Sequence, residues 1–222
     1  MTEAELVRLI DHTLLKPEAA PDDVRRLCAE AREFGFASVC VNPVYVPLAA
    51  SLLAGSGVKV CAVAGFPLGA SLTRTKLFEA ESAIRLGAAE IDMVIHVGAL
   101  RAGDDAGVEN EIRQLALLCH AHGALLKVIL ETALLTHDEK VRGATAAMNA
   151  RADFVKTSTG FGPGGATVED VALLRSVVGS RLGVKASGGI RSLADLERMV
   201  EAGASRIGTS SGARIVQEFR SR

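Results

Sequence analysis

The sequence predicts an α/β fold of the (β/α)₈ TIM barrel type, formed as a single domain over residues 1–222 with a short N-terminal helix. Three observations predict it. Strand-like runs alternate with helix-like runs eight times along the chain. The strand runs are mostly continuous and apolar, as expected of parallel strands covered by helices. Three lysines, Lys127, Lys156 and Lys185, recur inside such runs at intervals of 29 residues, about one strand-loop-helix-loop unit.

An amphipathic segment from Glu3 leads into the first strand, Leu9–Leu15. Pro21-Asp22-Asp23-Val24 then opens a helix, with proline and acids in its first turn, and Gly35 stops it. The second strand is Ala37–Asn42, ended by Pro43 and followed by a short helix. Val58–Ala64 is the third strand, and Thr73–Leu86 is its helix, closed by Gly87. Glu90–Val97 is the fourth strand, followed by a helix over Asp105–His122. The fifth strand is Ala124–Glu131, with a helix over His137–Ala150. The sixth is Asp153–Ser158, with a helix over Val168–Val178. The seventh is Gly183–Ala186, with a helix over Leu193–Glu201. The eighth is Arg206–Thr209, and a terminal helix starts from Ser211. A doubly wound open sheet is the main competitor. That fold usually carries a glycine-rich turn after its first strand, whereas Leu14-Leu15-Lys16-Pro17-Glu18 contains no glycine.

Composition narrows the function classes. Hydrophobic residues make up 49% of the chain, enough for a substantial core, and the formal net charge of −1 gives no bulk attraction to nucleic acid or a membrane surface. No apolar stretch approaches the roughly 20 residues needed to span a bilayer. Cys28, Cys40, Cys61 and Cys119 form no CxxC pair and read as free thiols; with no signal peptide at the start, the expected compartment is the cytoplasm.

Lysine is almost never fully buried unless paired. In a barrel the active site lies at the C-terminal ends of the strands. Asp92, Lys127, Glu131, Lys156, Thr157, Thr159, Lys185 and Ser187 lie in that half of their strands or just past it. Consecutive strands four to seven supply Asp92, Lys127, Lys156 and Lys185, so the four side chains are expected on one side of the mouth. Two ammonium groups about 4 Å apart repel by roughly 4 kcal/mol at an effective dielectric near 20. That is about 3 pKa units, which would bring a lysine from 10.4 to about 7–7.5. Such a lysine is nucleophilic near neutral pH and suited to Schiff-base chemistry. Asp92 would hold another lysine charged, with Lys127 the expected partner. A bland reading sets snorkelling or salt-bridged lysines in the barrel interior. One lysine would favour it; three at unit spacing, with an acid on the preceding strand, do not.

Ser187-Gly188-Gly189-Ile190-Arg191 follows the seventh strand, and Gly208-Thr209-Ser210-Ser211-Gly212 follows the eighth and opens the last helix. Glycine-rich N–H groups and a helix N-terminus make an anion site, and barrels often bind phosphate at these two loops. Thr159-Gly160-Phe161-Gly162 can add amides. Either loop alone would read as a tight turn.

Together these motifs resemble one family. They are Glu90-Ile91-Asp92-Met93-Val94-Ile95, Asp153-Phe154-Val155-Lys156-Thr157-Ser158-Thr159-Gly160-Phe161 and Val184-Lys185-Ala186-Ser187-Gly188-Gly189-Ile190-Arg191. Asp11-His12-Thr13-Leu14-Leu15, Cys40-Val41-Asn42-Pro43, Gly65-Phe66-Pro67-Leu68-Gly69 and Leu126-Lys127-Val128-Ile129-Leu130-Glu131-Thr132 join them. End to end, the chain resembles the deoxyribose-phosphate aldolases. The resemblance implies a class I aldolase, without metal or other cofactor, that reversibly cleaves 2-deoxy-D-ribose 5-phosphate to D-glyceraldehyde 3-phosphate and acetaldehyde. It implies Lys156 as the Schiff-base lysine, Lys185 as the cation beside it, and Asp92 as the acid/base residue acting through a water. Lys127 would set the charge of Asp92. Gly188, Gly189, Ser210 and Ser211 match the phosphate loops, with Gly160 and Arg191 as further contacts. One departure is His96-Val97-Gly98, where an asparagine would be expected at the first position.

His12 reads as a hydrogen-bonded core histidine rather than a metal ligand. His120 and His122, at i,i+2 on a helix, point apart. Cys40 reads as a small buried side chain. Three alternatives stand: another Schiff-base aldolase of phosphorylated sugars, a non-catalytic phosphate-binding barrel, or a phosphosugar isomerase barrel, which would need a histidine at the mouth that the sequence does not place. A homodimer or homotetramer is expected for such a barrel.

Overall fold

The structure, a computed structural model, describes residues 1–222. The helix α1 (Glu3–Arg8) is followed by β1 (Ile10–Leu14), α2 (Pro21–Phe34), β2 (Ser38–Val41), α3 (Val46–Leu53), β3 (Lys59–Ala64) and α4 (Thr73–Arg85). Next come β4 (Glu90–Val94), α5 (Val97–Arg101), α6 (Asp105–Ala121), β5 (Leu125–Ile129), α7 (His137–Asn149) and β6 (Phe154–Lys156). The chain finishes with α8 (Val168–Val178), β7 (Gly183–Ser187), α9 (Leu193–Glu201), β8 (Arg206–Thr209) and α10 (Gly212–Arg220). All strand pairs are parallel, and β8 pairs with β1 to close the barrel in sequence order. The TIM barrel expected from the sequence is the fold.

β1, β2 and β3 are a residue or two shorter than expected and β4, β5 and β6 three shorter, while β7 runs one residue longer and β8 is as expected. The tail expected on the fourth strand instead becomes α5. His96 is the reason: its Nδ1 accepts the Ala99 N–H at 2.8 Å and caps a new helix. An asparagine side chain would suit the same capping task, so the departure at His96 exchanges one cap for another.

The sequence reading missed one feature of the strands. Their apolar runs conceal an alternation of period two. Ile10, Val39, Val60, Ile91, Leu126, Val155, Val184 and Ile207 join the main core of 54 buried residues, which includes the inner faces of the helices. Their neighbours Asp11, Ser38, Cys61, Asp92, Lys127, Lys156, Lys185 and Arg206 are tied to one another by ion pairs and hydrogen bonds across the barrel interior. The barrel is therefore oily outside and ionic within. Gly208 makes room for this arrangement, since a Cβ there would lie 3.1 Å from Lys185 Cε and 2.9 Å from Ser187 Cβ.

Candidate active site

Asp92 is the hub. It is fully buried. Its Oδ1 accepts from Lys127 Nζ at 2.8 Å and from Cys61 Sγ at 3.1 Å. Its Oδ2 accepts from Lys156 Nζ at 2.8 Å and Lys185 Nζ at 2.7 Å. The four residues expected to meet do meet. The arrangement differs from two ammoniums facing each other: the shared Asp92 oxygen stands between Lys156 and Lys185 and offsets part of their repulsion.

Sequence reasoning left out the second half of the network. Asp11, also fully buried, pairs with Lys185 at 2.5 Å and with Arg206 at 2.7 Å, and it accepts from Ser38 Oγ at 2.7 Å. Glu90 pairs with Lys127 at 2.6 Å and Arg206 at 3.2 Å. Asp11, Glu90 and Arg206 were legible on the same grounds as the lysines, as charges inside strands.

Four cationic side chains, Lys127, Lys156, Lys185 and Arg206, thus share three carboxylates, Asp11, Glu90 and Asp92. Burial pushes the Asp92 carboxyl up, but Lys127, Lys156 and Lys185 outweigh it and hold Asp92 well below the usual carboxylate range. Asp11 is lowered in the same way: burial opposes, and Lys185, Lys127 and Arg206 prevail. Burial pushes Lys185 down, yet Asp11 and Asp92 raise it above the ordinary lysine value. Lys127 is likewise raised well above it, against burial, by Asp92, Cys61, Glu90 and Asp11. Both are locked as ammoniums.

Lys156 differs in access. It is the last residue of β6 and lines a mouth cavity of about 390 Å³, which Lys127 and Lys185 do not reach. The same cavity is lined by Gly160, Gly188, Gly189, Arg191 and Ser210. Gly188 and Gly189 both have positive φ, +87° and +81°, a backbone geometry that favours glycine. Ser211 stands one residue beyond the lining, as the cap of α10, with its N–H given to Thr209 Oγ1 at 2.9 Å. Glu131 has a left-handed backbone, φ +57°. Its carboxylate accepts from the Thr159 hydroxyl and, at 3.3 Å, from the Thr159 N–H, so it steadies the loop that carries Gly160. Phe161 packs edge-on against Phe66 beside the mouth, with ring centroids 5.4 Å apart.

The remaining candidates fall outside this group. Cys40 is fully buried in register with Cys61. Cys40, Cys61 and Asp92 bring ligand-type atoms within 4.8 Å of one another. A divalent cation there would face the ammoniums of Lys127 and Lys185, which already occupy both Asp92 oxygens, so the donor set does not suit one. His120 bonds to Asp153 and His122 to the Leu118 carbonyl, which separates them as expected. No helix is long and apolar enough to cross a membrane.

Fold and site together define a barrel whose mouth offers one lysine from a cation-rich buried network, the equipment of a Schiff-base lyase. Residues 6–218 match the model of the DeoC/LacD family aldolases, and the chain belongs to that family. It is 57% identical over 216 residues to the deoxyribose-phosphate aldolase of Geobacillus sp. (strain WCH70), covering 97% of this chain and 96% of that one. It is 53% identical over 216 residues to the deoxyribose-phosphate aldolase of Caldanaerobacter subterraneus subsp. tengcongensis, covering 97% and 94%. Among solved structures, the tetrameric deoxyribose phosphate aldolase from Aeropyrum pernix superposes with a TM-score of 0.93 at 39% identity, covering 99% of this chain and 93% of that chain.

Proposed function

We propose that this protein is a class I aldolase that reversibly cleaves 2-deoxy-D-ribose 5-phosphate to D-glyceraldehyde 3-phosphate and acetaldehyde, with Lys156 as the Schiff-base residue. One observation carries the assignment of Lys156: four cations share three carboxylates, and only Lys156 of the three lysines lines the cavity. Loss of one proton from Lys156 balances the buried charge. Lys127 and Lys185 are held charged by their carboxylates and cannot supply it as readily.

Neutral Lys156 attacks the C1 aldehyde of the open-chain sugar, and loss of water with uptake of one proton from the solvent in the mouth leaves a protonated imine. The imine draws the electrons of the C2–C3 bond as it breaks. The C3 hydroxyl loses its proton, through a water, toward Asp92, and glyceraldehyde 3-phosphate departs. Cleavage turns the charged imine into a neutral enamine beside Asp92. Removing that charge raises the proton affinity of Asp92 as the proton arrives. The enamine is then protonated at C2, and hydrolysis frees acetaldehyde. Lys185 stays charged throughout and keeps the field on Lys156. Lys127 fixes the other Asp92 oxygen.

The phosphate sits, in this reading, on the amides of Gly188, Gly189 and Gly160, with Ser210 and the N-terminal turn at Ser211, and with Arg191 at the rim. Binding there orients the sugar away from the reacting carbons. Four buried free thiols fit the cytoplasm. A homodimer or homotetramer is the proposed assembly, the relative from Aeropyrum pernix being a tetramer. The test is borohydride trapping with acetaldehyde followed by peptide mass mapping. A reduced adduct on Lys156 is expected; a folded protein that takes no adduct would remove the imine mechanism.

A further inference from the structure

The barrel wall carries an ionisable pair on its outer side, behind the loops of the mouth. His12 follows Asp11 in β1 and faces the opposite way, toward the helices. It is 2% exposed. Its Nε2 lies 2.6 Å from Glu30 Oε2 on α2, and its Nδ1 is buried with no partner. The strand neighbour of His12 on β8 is Thr209, whose Oγ1 donates to the Ile190 carbonyl at 2.7 Å and accepts the Ser211 N–H at 2.9 Å. The Phe36 ring lies 5.1 Å from the imidazole. Gly212, the first residue of α10, seats against both rings: a Cβ there would be 3.0 Å from His12 Nδ1 and 3.1 Å from Phe36. One edge of the imidazole is therefore anchored in α2 and the other abuts the start of α10.

Burial pushes this ring below the usual histidine range, with Glu30 opposing. A leucine would fill the same space without that cost. What histidine adds is a directional bond, which fixes the rotation of the ring and so the surface on which Gly212 rests.

We propose that His12, oriented by Glu30, is a positioning residue that sets the height of Ser210 and the α10 N-terminus over the mouth cavity, and thereby the preference for phosphorylated over unphosphorylated sugar. This rests on reading the β8–α10 loop as a phosphate site. His12 touches no substrate atom and acts through the backbone of residues 209–212.

The test compares 2-deoxyribose 5-phosphate with 2-deoxyribose as substrates. His12→Gln places an amide nitrogen near the Nε2 position and keeps the bond to Glu30. His12→Asn places its amide near Nδ1 and abandons Glu30. His12→Asn is expected to raise KM for the phosphorylated sugar about tenfold, the size of one lost charge-assisted hydrogen bond. Its kcat, and its turnover of 2-deoxyribose, should stay unchanged. His12→Gln should restore the wild-type KM. Glu30 is part-exposed, so Glu30→Ala supplies the same readout should a His12 variant fail to fold, with the same KM pattern expected. Variants that shift both substrates together, or change only the melting temperature, overturn the proposal. So does an unchanged ratio in the variants when wild type prefers the phosphorylated sugar and Ser210→Asp weakens that preference; the phosphate reading then survives alone. Equal kcat/KM for the two sugars in wild type overturns both.

Discussion

Two buried lysine–carboxylate clusters stand a short distance apart in this molecule, one between helices and one inside the barrel. Lys76 on α4 is fully buried and pairs with Glu111 on α6 at 2.9 Å, with a second bond to the Val94 carbonyl at 2.8 Å. Glu111 also accepts from Thr73 and from the His96 N–H. One cation meets one anion, and the pair ties two helices to the end of β4. Burial lowers the Lys76 ammonium below its ordinary value despite Glu111. Inside the barrel the lysines outnumber the aspartates they share, and only the lysine at the edge opens on a cavity. The difference teaches that a depressed buried lysine is not by itself a nucleophile. An uneven charge count and a path to substrate are both required.

The largest effect should separate the two clusters outright. Lys156→Ala is expected to lower kcat/KM by at least about 10⁴-fold, the scale of removing a covalent nucleophile, while Lys76→Met leaves the kcat of the folded protein near wild type. Steady-state kinetics on both variants checks this, and substantial turnover by Lys156→Ala would sink the assignment.

Charge imbalance is tested next by Lys185→Met. Three cations then face three carboxylates, and Lys156 has less reason to lose its proton. Activity near neutral pH should fall by at least about tenfold and recover as pH rises. An equal loss at every pH would show that Lys185 acts in some other way.

The helix pair should show itself in stability rather than in activity. Lys76→Met leaves Glu111 buried without its partner and is expected to cost about 3–5 kcal/mol in urea unfolding. The double variant Lys76→Met/Glu111→Leu should recover most of that loss, because neither charge is then stranded. If the single variant unfolds like wild type, the pair is not the tie described above.

The smallest effect is the pH dependence of stability. Asp92 and Asp11 titrate lower when folded than unfolded, so their contribution is complete above about pH 4–5 and is lost as pH falls below about 4. Lys185 and Lys127 are raised on folding, so theirs is complete below about pH 10 and is lost only at more alkaline pH. His12 is lowered on folding, so it also costs stability as pH falls below about 6.5. In a His12→Gln background, which removes that titration, the urea midpoint should be flat across about pH 5–8 and fall on the acid side. A midpoint already falling at pH 6 in that background would contradict carboxyls held this low.

Much of this was legible in the chain. Lysines at unit spacing in apolar runs gave both the barrel and the site, because a strand residue has only two directions to face. The partners were harder. Asp11 and Arg206 are separated by 195 positions and meet only because β8 closes on β1. Local patterning carries no trace of such a contact, although each is a charge inside a strand and so invites the question. The role of Glu131 depends on a left-handed backbone that sequence rarely announces for glutamate. Cys61 reads as a small apolar residue until its thiol is seen on Asp92. The helix at Val97 was hidden because its cap is a histidine.

Closure has a consequence for a chain still being made. Until β8 is in place, Asp11 lacks Arg206 and the ring of charges is incomplete, so a growing polypeptide carries several of these ions with nowhere dry to put them. The wall holding them can close only in one late step, between its first and last strands. A half-made barrel then has no finished pocket in which a reactive amine could sit. Lys156 would be no more reactive toward aldehydes than any other lysine during synthesis and become distinct only as the ring shuts.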